Sequence, residues 1–123
     1  MSYKSILVIS DQHAPYNHID TLDFLAAIKK KYKPDCVVNI GDEMDWHSIS
    51  FHDSHPGLYS PSHELKIARE FFKNLEKLFP KQYVMDSNHG SLVFRKATRH
   101  GLPHEVFKSY NHCLLYTSDA ADE

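Results

Sequence analysis

Short apolar runs alternate with longer amphipathic stretches along the first ninety residues of the chain. The runs Ser5–Ser10 and Cys36–Ile40 are rich in β-branched residues and are bounded by polar turns, which predicts two buried strands. A third strand is expected over Gln82–Met85. Because strands alternate with helical patterns, the sequence predicts an α/β fold with parallel strands, right-handed crossovers and helices covering the sheet.

Helical spacing of apolar residues marks the segments between these runs. One amphipathic helix is expected over residues 19–32, where a triple lysine and a following proline favour the helix end. A second is expected from residue 61 to residue 79, with Ser60 as its cap and a proline in its first turn. Two short helices are predicted after the third strand, over residues 91–99 and 103–110.

Residues 46–60 show no steady periodicity and predict a loop with at most one irregular helical turn. Three histidines lie in this loop, namely His47, His52 and His55. A flexible polar loop is a sufficient explanation for them, and substrate contact is the alternative. Trp46 and the pair Phe71-Phe72 are expected to serve the core.

The composition adds bounds to this picture. With 123 residues, 41% hydrophobic and 24% charged, the chain has the make-up of one ordinary globular domain. Its 14 basic and 16 acidic residues nearly balance, so charge alone does not indicate a nucleic-acid surface. No apolar stretch is long enough for a signal peptide or a membrane span, and a cytoplasmic setting is therefore expected. Two cysteines predict neither a disulfide nor a zinc finger.

Polar side chains follow each predicted strand. The chain has ten histidines, and histidine is the commonest metal ligand, so these polar segments are candidate metal ligands. The three segments are Asp11-Gln12-His13, Gly41-Asp42-Glu43-Met44-Asp45 and Ser87-Asn88-His89. Ligands bind beyond the carboxyl ends of parallel strands, so these segments are expected to converge. Carboxylate, imidazole and amide oxygen donors suit manganese, iron or zinc better than an ion that demands thiolate.

Each of these residues also has a simpler interpretation. Asp11 and Asp42 could be turn formers or helix caps, and His13 could be a solvated loop histidine. Asn88 could merely adopt a left-handed turn next to Gly90. The ordered occurrence of all three segments, each after a predicted strand, favours the metal site.

The three segments resemble the calcineurin-like metallophosphoesterase family, whose pattern is Asp-x-His, then Gly-Asp-x-x-Asp, then Gly-Asn-His with an acidic residue after it. The resemblance covers roughly residues 5–99 and implies an α/β fold that is the N-terminal half of a four-layer α/β/β/α sandwich. Ser87 and Gly90 depart from the pattern, in place of the glycine and the acidic residue. The Asn-His-Gly-Ser run with Arg95-Lys96-Ala97 resembles a variant of bacteriophage-encoded enzymes, which would act in the host cytoplasm.

The resemblance implies two divalent metal ions, with manganese favoured and iron, zinc, nickel or magnesium as alternatives. Asp11 and His13 would bind the first ion. Asp42 would bridge both ions, and Asn88 would bind the second.

The resemblance also implies two residues that serve the reaction itself. His89 would face the scissile phosphate and protonate the leaving group, and Asp45 would orient a histidine without touching metal. Arg95 and Lys96 could meet a phosphate, although a helix surface carries such residues by default.

The implied activity is hydrolysis of a phosphoester by two-metal catalysis. A phosphodiester such as DNA or a cyclic nucleotide is slightly favoured over a phosphomonoester. The family's later Gly-His and Gly-His-x-His motifs do not occur, and the site is expected to be incomplete. A non-catalytic scaffold or binding module is one alternative. An inert fragment is another, because half a sandwich exposes a sheet face.

Residues 1–112 are interpreted as the N-terminal part of one metallophosphoesterase domain. Residues 113–123 resemble the translation of a transposase adapter used in preparing sequencing libraries, and a non-native tail is expected there.

This interpretation predicts that adapter-free genomic DNA, read across the codons of His112 and Cys113, diverges from the recorded sequence near that junction. Recovery of the codons for residues 113–123 from such DNA would show that the tail is native. The same reading supplies the downstream sequence, in which the two later histidine motifs are expected.

Overall fold

Strands and helices alternate in the computed structural model, which describes residues 2–53, 55–86 and 91–108. Within these ranges the regular elements are β1 (Ile6–Ile9), α1 (Thr21–Tyr32), β2 (Cys36–Asn39), α2 (Pro61–Leu78), β3 (Tyr83–Val84) and α3 (Leu92–Arg99). Two 3₁₀ helices lie at His47–Ile49 and His104–Val106. The described part of the chain is therefore a small mixed α/β domain.

The three strands form one parallel sheet in the order β1-β2-β3. Ile6 is paired with Cys36 at the start of β1, and Val38 is paired with Tyr83 across β2 and β3. The prediction of an α/β fold with parallel strands is confirmed. β3 is shorter than expected, although the Met85 amide still donates to the carbonyl of Asn39 at 2.8 Å.

Helix ends follow the local signals in the sequence. The Ser60 hydroxyl accepts from the backbone amide of His63 at 3.3 Å, directly before Pro61 in the first turn of α2. α1 ends where Lys33 takes a left-handed conformation with φ 46°. None of the helices within the described ranges has the length and apolar character needed to cross a bilayer.

The expected helix over residues 103–110 is wrong within the described residues. Only the 3₁₀ helix His104–Val106 forms there. So short a segment depends on tertiary packing for helical stability. Phe107, directly after this 3₁₀ helix, packs edge-on against Phe94 of α3, with ring centroids 6.1 Å apart.

The core lies on one face of the sheet. β1 and β2 contribute Ile9 and Val37 to it, and the helices contribute the buried side chains Leu25, Ala68, Phe72 and Leu75. Trp46 and Phe72 are buried and Phe71 packs beside them, as predicted. Both α1 and α2 therefore cover the same face.

The opposite face of the sheet is open within the described part of the chain. Ile6, Val8 and Tyr83 lie on it and are 54%, 58% and 50% exposed. Cys36 shares this face but is buried, and the hydroxyl of Tyr3 lies 3.4 Å from that of Tyr83 at its edge. The expectation of helices covering the sheet thus holds for one face only.

Replacement of Phe72 by alanine is expected to lower the free energy of unfolding by about 3–5 kcal/mol, because the side chain is fully buried and leaves a cavity. Urea denaturation followed by circular dichroism measures this. Phe24→Ala is the matched control, since that side chain is 64% exposed in α1 and its loss should cost far less. Similar costs for both variants would contradict the assignment of the core.

Candidate metal centre

Two loops carry the candidate ligands, and both leave the same edge of the sheet. The first loop, residues 11–14, follows β1, and the second loop, residues 41–45, follows β2. Because β1 and β2 are parallel neighbours, their carboxyl ends lie side by side. The first two predicted segments therefore meet.

Backbone hydrogen bonds join the two loops to each other. Four amides donate across the gap: Asp11 to Gly41 at 3.1 Å, His13 to Asp42 at 2.9 Å, Ala14 to Glu43 at 2.7 Å and Asp45 to Ala14 at 3.0 Å. Ala14 and Met44 form an isolated parallel bridge at the far end and are fully buried. The loops thus continue the strand pairing past the sheet and fix their side chains relative to each other.

Left-handed backbone conformations shape this junction. Asp11, His13 and Asp42 have φ values of 54°, 49° and 54°, and Gly41 has φ 106°. Aspartate and histidine tolerate the left-handed region better than most residues, and only glycine adopts φ 106° without steric cost. The buried Asn39 side chain assists, because its Oδ1 accepts from the Gly41 amide at 3.2 Å.

Three side chains from the two loops form a cluster of metal-ligand type. Asp11, His13 and Asp42 each offer one donor atom, and the three atoms lie within 4.8 Å of one another. His13 Nε2 is 3.5 Å from an oxygen of Asp11. Donors that bind one ion at 2.0–2.2 Å are themselves about 3–4 Å apart. Two carboxylates and an imidazole at this spacing fit part of the shell of one divalent cation.

Asp45 contacts the other side of the same imidazole. Its Oδ1 lies 2.8 Å from His13 Nδ1, and its side chain is 19% exposed, against 63% for Asp11. An ionised carboxylate can only accept, so Nδ1 carries a proton and donates a hydrogen bond to Asp45. Nε2 is then the nitrogen on the side of Asp11, and in the neutral imidazole it has the lone pair that a cation would bind. This is the orienting arrangement that metal-binding histidines commonly have.

The charges around His13 also set its protonation. Partial burial lowers the pKa of the imidazole, but this is outweighed by the hydrogen bond and charge of Asp45, with help from Asp11 and Asp42. The net pKa lies above the ordinary value of 6.5. Without metal, a proton on His13 thus balances part of the negative charge of the cluster. A bound cation would displace that proton.

The third predicted segment lies outside the described residues. It contains Asn88, predicted to bind the second ion, and His89, predicted to protonate the leaving group. The described part of the centre is therefore the cluster of Asp11, His13 and Asp42, with Asp45 beside it.

The loop after Asp45 is held by a residue that the sequence did not single out. Glu64 of α2 is fully buried, and its carboxylate accepts from the backbone amides of His47 at 2.9 Å and Ser48 at 3.4 Å. The Ser48 hydroxyl also donates to it. His47 is therefore fixed at the start of a 3₁₀ helix, and its imidazole accepts from the His55 amide at 3.4 Å. The predicted flexible loop is anchored at this point.

Glu43 is a second residue whose burial sequence reasoning missed. It lies between the candidate ligand Asp42 and Met44, and it is fully buried. A glutamate inside an acidic loop usually predicts exposure, so nothing in its local sequence marks it as buried.

Comparison of the sequence with models of known protein families gave no match, and comparison with curated proteins gave none either.

Asp45→Asn is expected to lower the pKa of His13 in the metal-free protein, because it removes the charge and the strong acceptor at Nδ1. Histidine titration by NMR measures this directly. Asp23→Asn, an exposed carboxylate on α1, is the matched control and should leave the titration of His13 unchanged.

The raised pKa of His13 also makes the stability of the folded protein depend on pH. The raised folded-state pKa contributes stability that is fully present below the unfolded-state value near 6.5 and is lost as pH rises through the folded-state value. In metal-free protein, wild type should therefore lose more stability than Asp45→Asn between pH 6 and pH 8. An unchanged His13 titration in the variant would contradict the orienting role.

Proposed function

We propose that this chain carries the first part of a two-metal phosphoesterase centre and that its complete site hydrolyses a phosphodiester of nucleic acid or a nucleotide. The observation that supports this is the cluster of Asp11, His13 and Asp42 with Asp45 behind the imidazole. The motif resemblance adds the reaction class. A phosphomonoester on a protein or metabolite is the alternative substrate.

The donor set favours particular ions. Asp11, His13 and Asp42 would hold the first cation through oxygen and imidazole nitrogen, a combination that suits manganese, iron or zinc. Nickel and magnesium are further options. Bound cations would supply Lewis-acid stabilisation of the charge that develops on the phosphate and on the attacking and leaving oxygens.

Each side chain has a separate task in this proposal. Asp45 keeps the proton of His13 on Nδ1, so that the lone pair of Nε2 can bind the metal. Asp42 would be shared between the two ions, and Asn88 would add an amide oxygen to the second. His89 would give a proton to the leaving oxygen, a step that commonly contributes about 10²–10⁴-fold to rate.

A scaffold without catalysis is the competing function. The departures at Ser87 and Gly90 favour it, because the sequence differs from the family pattern on both sides of Asn88 and His89. The scaffold would keep the first cluster and bind metal, but it would hydrolyse nothing. Metal binding and hydrolysis must therefore be measured separately.

The test uses the chain of residues 1–123 and, as the longer protein proposed above, the reading frame recovered from adapter-free genomic DNA, each titrated with Mn²⁺ by calorimetry. Asp42→Asn is expected to weaken binding more than 10-fold by removing a ligand. Asp45→Asn should weaken it about 10–100-fold through the orientation of His13. Asp23→Asn is the control and should bind like wild type. Equal affinity for all four proteins would exclude the metal centre.

Hydrolysis is then assayed on the full-length protein, with model diester and monoester substrates and Mn²⁺. His89→Ala should keep the Mn²⁺ affinity and lose about 10²–10⁴-fold in rate. Asp42→Asn should lose both. Normal metal binding with no hydrolysis in the wild type would establish the scaffold, and equal rates in wild type, His89→Ala and Asp42→Asn would reject the catalytic assignments.

A further inference from the structure

A group of cations surrounds one exposed aromatic ring away from the ligand cluster. We call Phe51, Arg95, Lys96 and Arg99 the α3 cationic patch. The Arg99 guanidinium lies 4.2 Å from the centroid of the Phe51 ring, Lys96 Nζ lies 5.7 Å from it, and the Arg95 guanidinium lies 6.0 Å from it. Even with these neighbours, the Phe51 side chain is 43% exposed.

Lys96 has a structural task within the patch. Its Nζ donates to the carbonyls of Ile49 at 2.8 Å and Ser50 at 3.3 Å, and the residue is half-buried. This attaches α3 to the end of the first 3₁₀ helix. The position of the Phe51 ring beside α3 is therefore fixed by hydrogen bonds.

Arg95 and Arg99 remain exposed on the same side of the helix. They are four residues apart, so their side chains are neighbours, and like charges at this spacing destabilise a helix by about 0.2–0.5 kcal/mol. Across the described ranges, no carboxylate lies within salt-bridge distance of Lys96 or Arg99. Arg95 Nε also donates to the Ser91 hydroxyl at 3.2 Å, and an anion bound beside α3 would be attracted by the exposed guanidinium of Arg99.

The charge of this region differs from that of the whole chain. Residues 91–108 carry four basic residues and one acidic residue, a net charge of +3, whereas the chain has a net charge of −2. Positive charge is thus concentrated on α3 and the segment after it. A clustered cationic surface on a chain of opposite net charge indicates an anionic partner.

The patch is close to the candidate metal centre along the chain. Phe51 follows Asp45 by six positions, which limits the distance between their Cα atoms to about 22 Å even if the chain were fully extended. The anchored 3₁₀ helix lies between them. Single-strand-binding domains cover about 4–16 nucleotides, and a strand of that length would reach both the α3 cationic patch and the candidate metal centre.

We propose that the α3 cationic patch binds single-stranded nucleic acid, with the Arg95 and Arg99 guanidiniums on phosphates and an unpaired base against Phe51. Guanidinium groups match phosphate oxygens in pairs, and an exposed aromatic ring can stack only on a base that is not already paired. If the bound strand is also the substrate of the metal centre, this inference rests on the proposed function. Binding of the strand by itself requires no metal.

The test measures binding of a fluorescein-labelled oligothymidine to the chain of residues 1–123 by anisotropy, in EDTA so that hydrolysis cannot occur. Arg95→Ala/Arg99→Ala is expected to bind at least 10-fold more weakly, with the slope of log affinity against log salt reduced by about 1.4. Lys66→Ala/Lys73→Ala is the control, because it removes two exposed cations from α2 and should change binding little. Circular dichroism establishes that every variant is folded.

Two further comparisons separate stacking from simple charge attraction. Phe51→Leu keeps apolar volume but lacks a π face, and it should bind the oligothymidine about 5-fold or more weakly. Wild type should also prefer the oligothymidine to an abasic strand of the same length and to a duplex. Equal binding of the abasic strand, or equal or tighter binding of the duplex, would overturn the proposal, as would full affinity in Arg95→Ala/Arg99→Ala.

The two proposals fail in different ways. Oligothymidine binding in EDTA together with absent Mn²⁺ binding would reject the phosphoesterase centre while leaving the patch a nucleic-acid site. Normal Mn²⁺ binding and diester hydrolysis together with no oligothymidine binding would reject the patch and leave the centre intact.

Discussion

The candidate centre depends on the backbone hydrogen bonds between the loops that follow β1 and β2. When ligands lie on separate loops, the motion of both loops normally makes the position of a bound ion less well defined. Here the amides of Asp11, His13 and Ala14 are bonded to carbonyls of the second loop, and the Asp45 amide is bonded back to Ala14. Donor positions are therefore set by strand pairing, and the entropy of ordering the site has already been lost on folding.

Around that junction polar side chains act as supports. Asn39 shapes the turn at Gly41, Asp45 orients His13, and Glu64 fixes the chain that follows Asp45. Asn39 and Glu64 are fully buried, which is costly for a polar group unless its hydrogen bonds are made, and the Asp45 side chain is 19% exposed. Beside them, Ala14 and Met44 of the two loops belong to the apolar core.

Much of the fold was predictable because its signals are local. Ser60 and Pro61 fix the start of α2 by chemistry within one turn, and the short apolar run before Asp11 predicts a strand, of which Leu7 and Ile9 face the core. The meeting of Asp11, His13 and Asp42 followed from a single topological rule about parallel strands. The contact between Asp45 and His13 needs the loop pairing and could not be placed from spacing alone.

Other features escaped prediction because they depend on residues far apart in sequence. Glu64 is buried because of amides 16 and 17 positions earlier, and nothing near it in the chain indicates this. The group of cations around Phe51 likewise arises from contacts between distant segments. The expected helix after residue 103 was wrong. Over so short a stretch, helical spacing of apolar residues does not stabilise a helix unless tertiary packing supports it.

The pairing of the two loops also has a kinetic meaning. Opening the first loop breaks the hydrogen bonds of the second, so the segments containing Asp11 and Asp42 open as one cooperative unit. Rotation of a single side chain removes one donor from an ion but leaves the others in place. Opening of the paired loops is therefore the event that would displace all three side chains together.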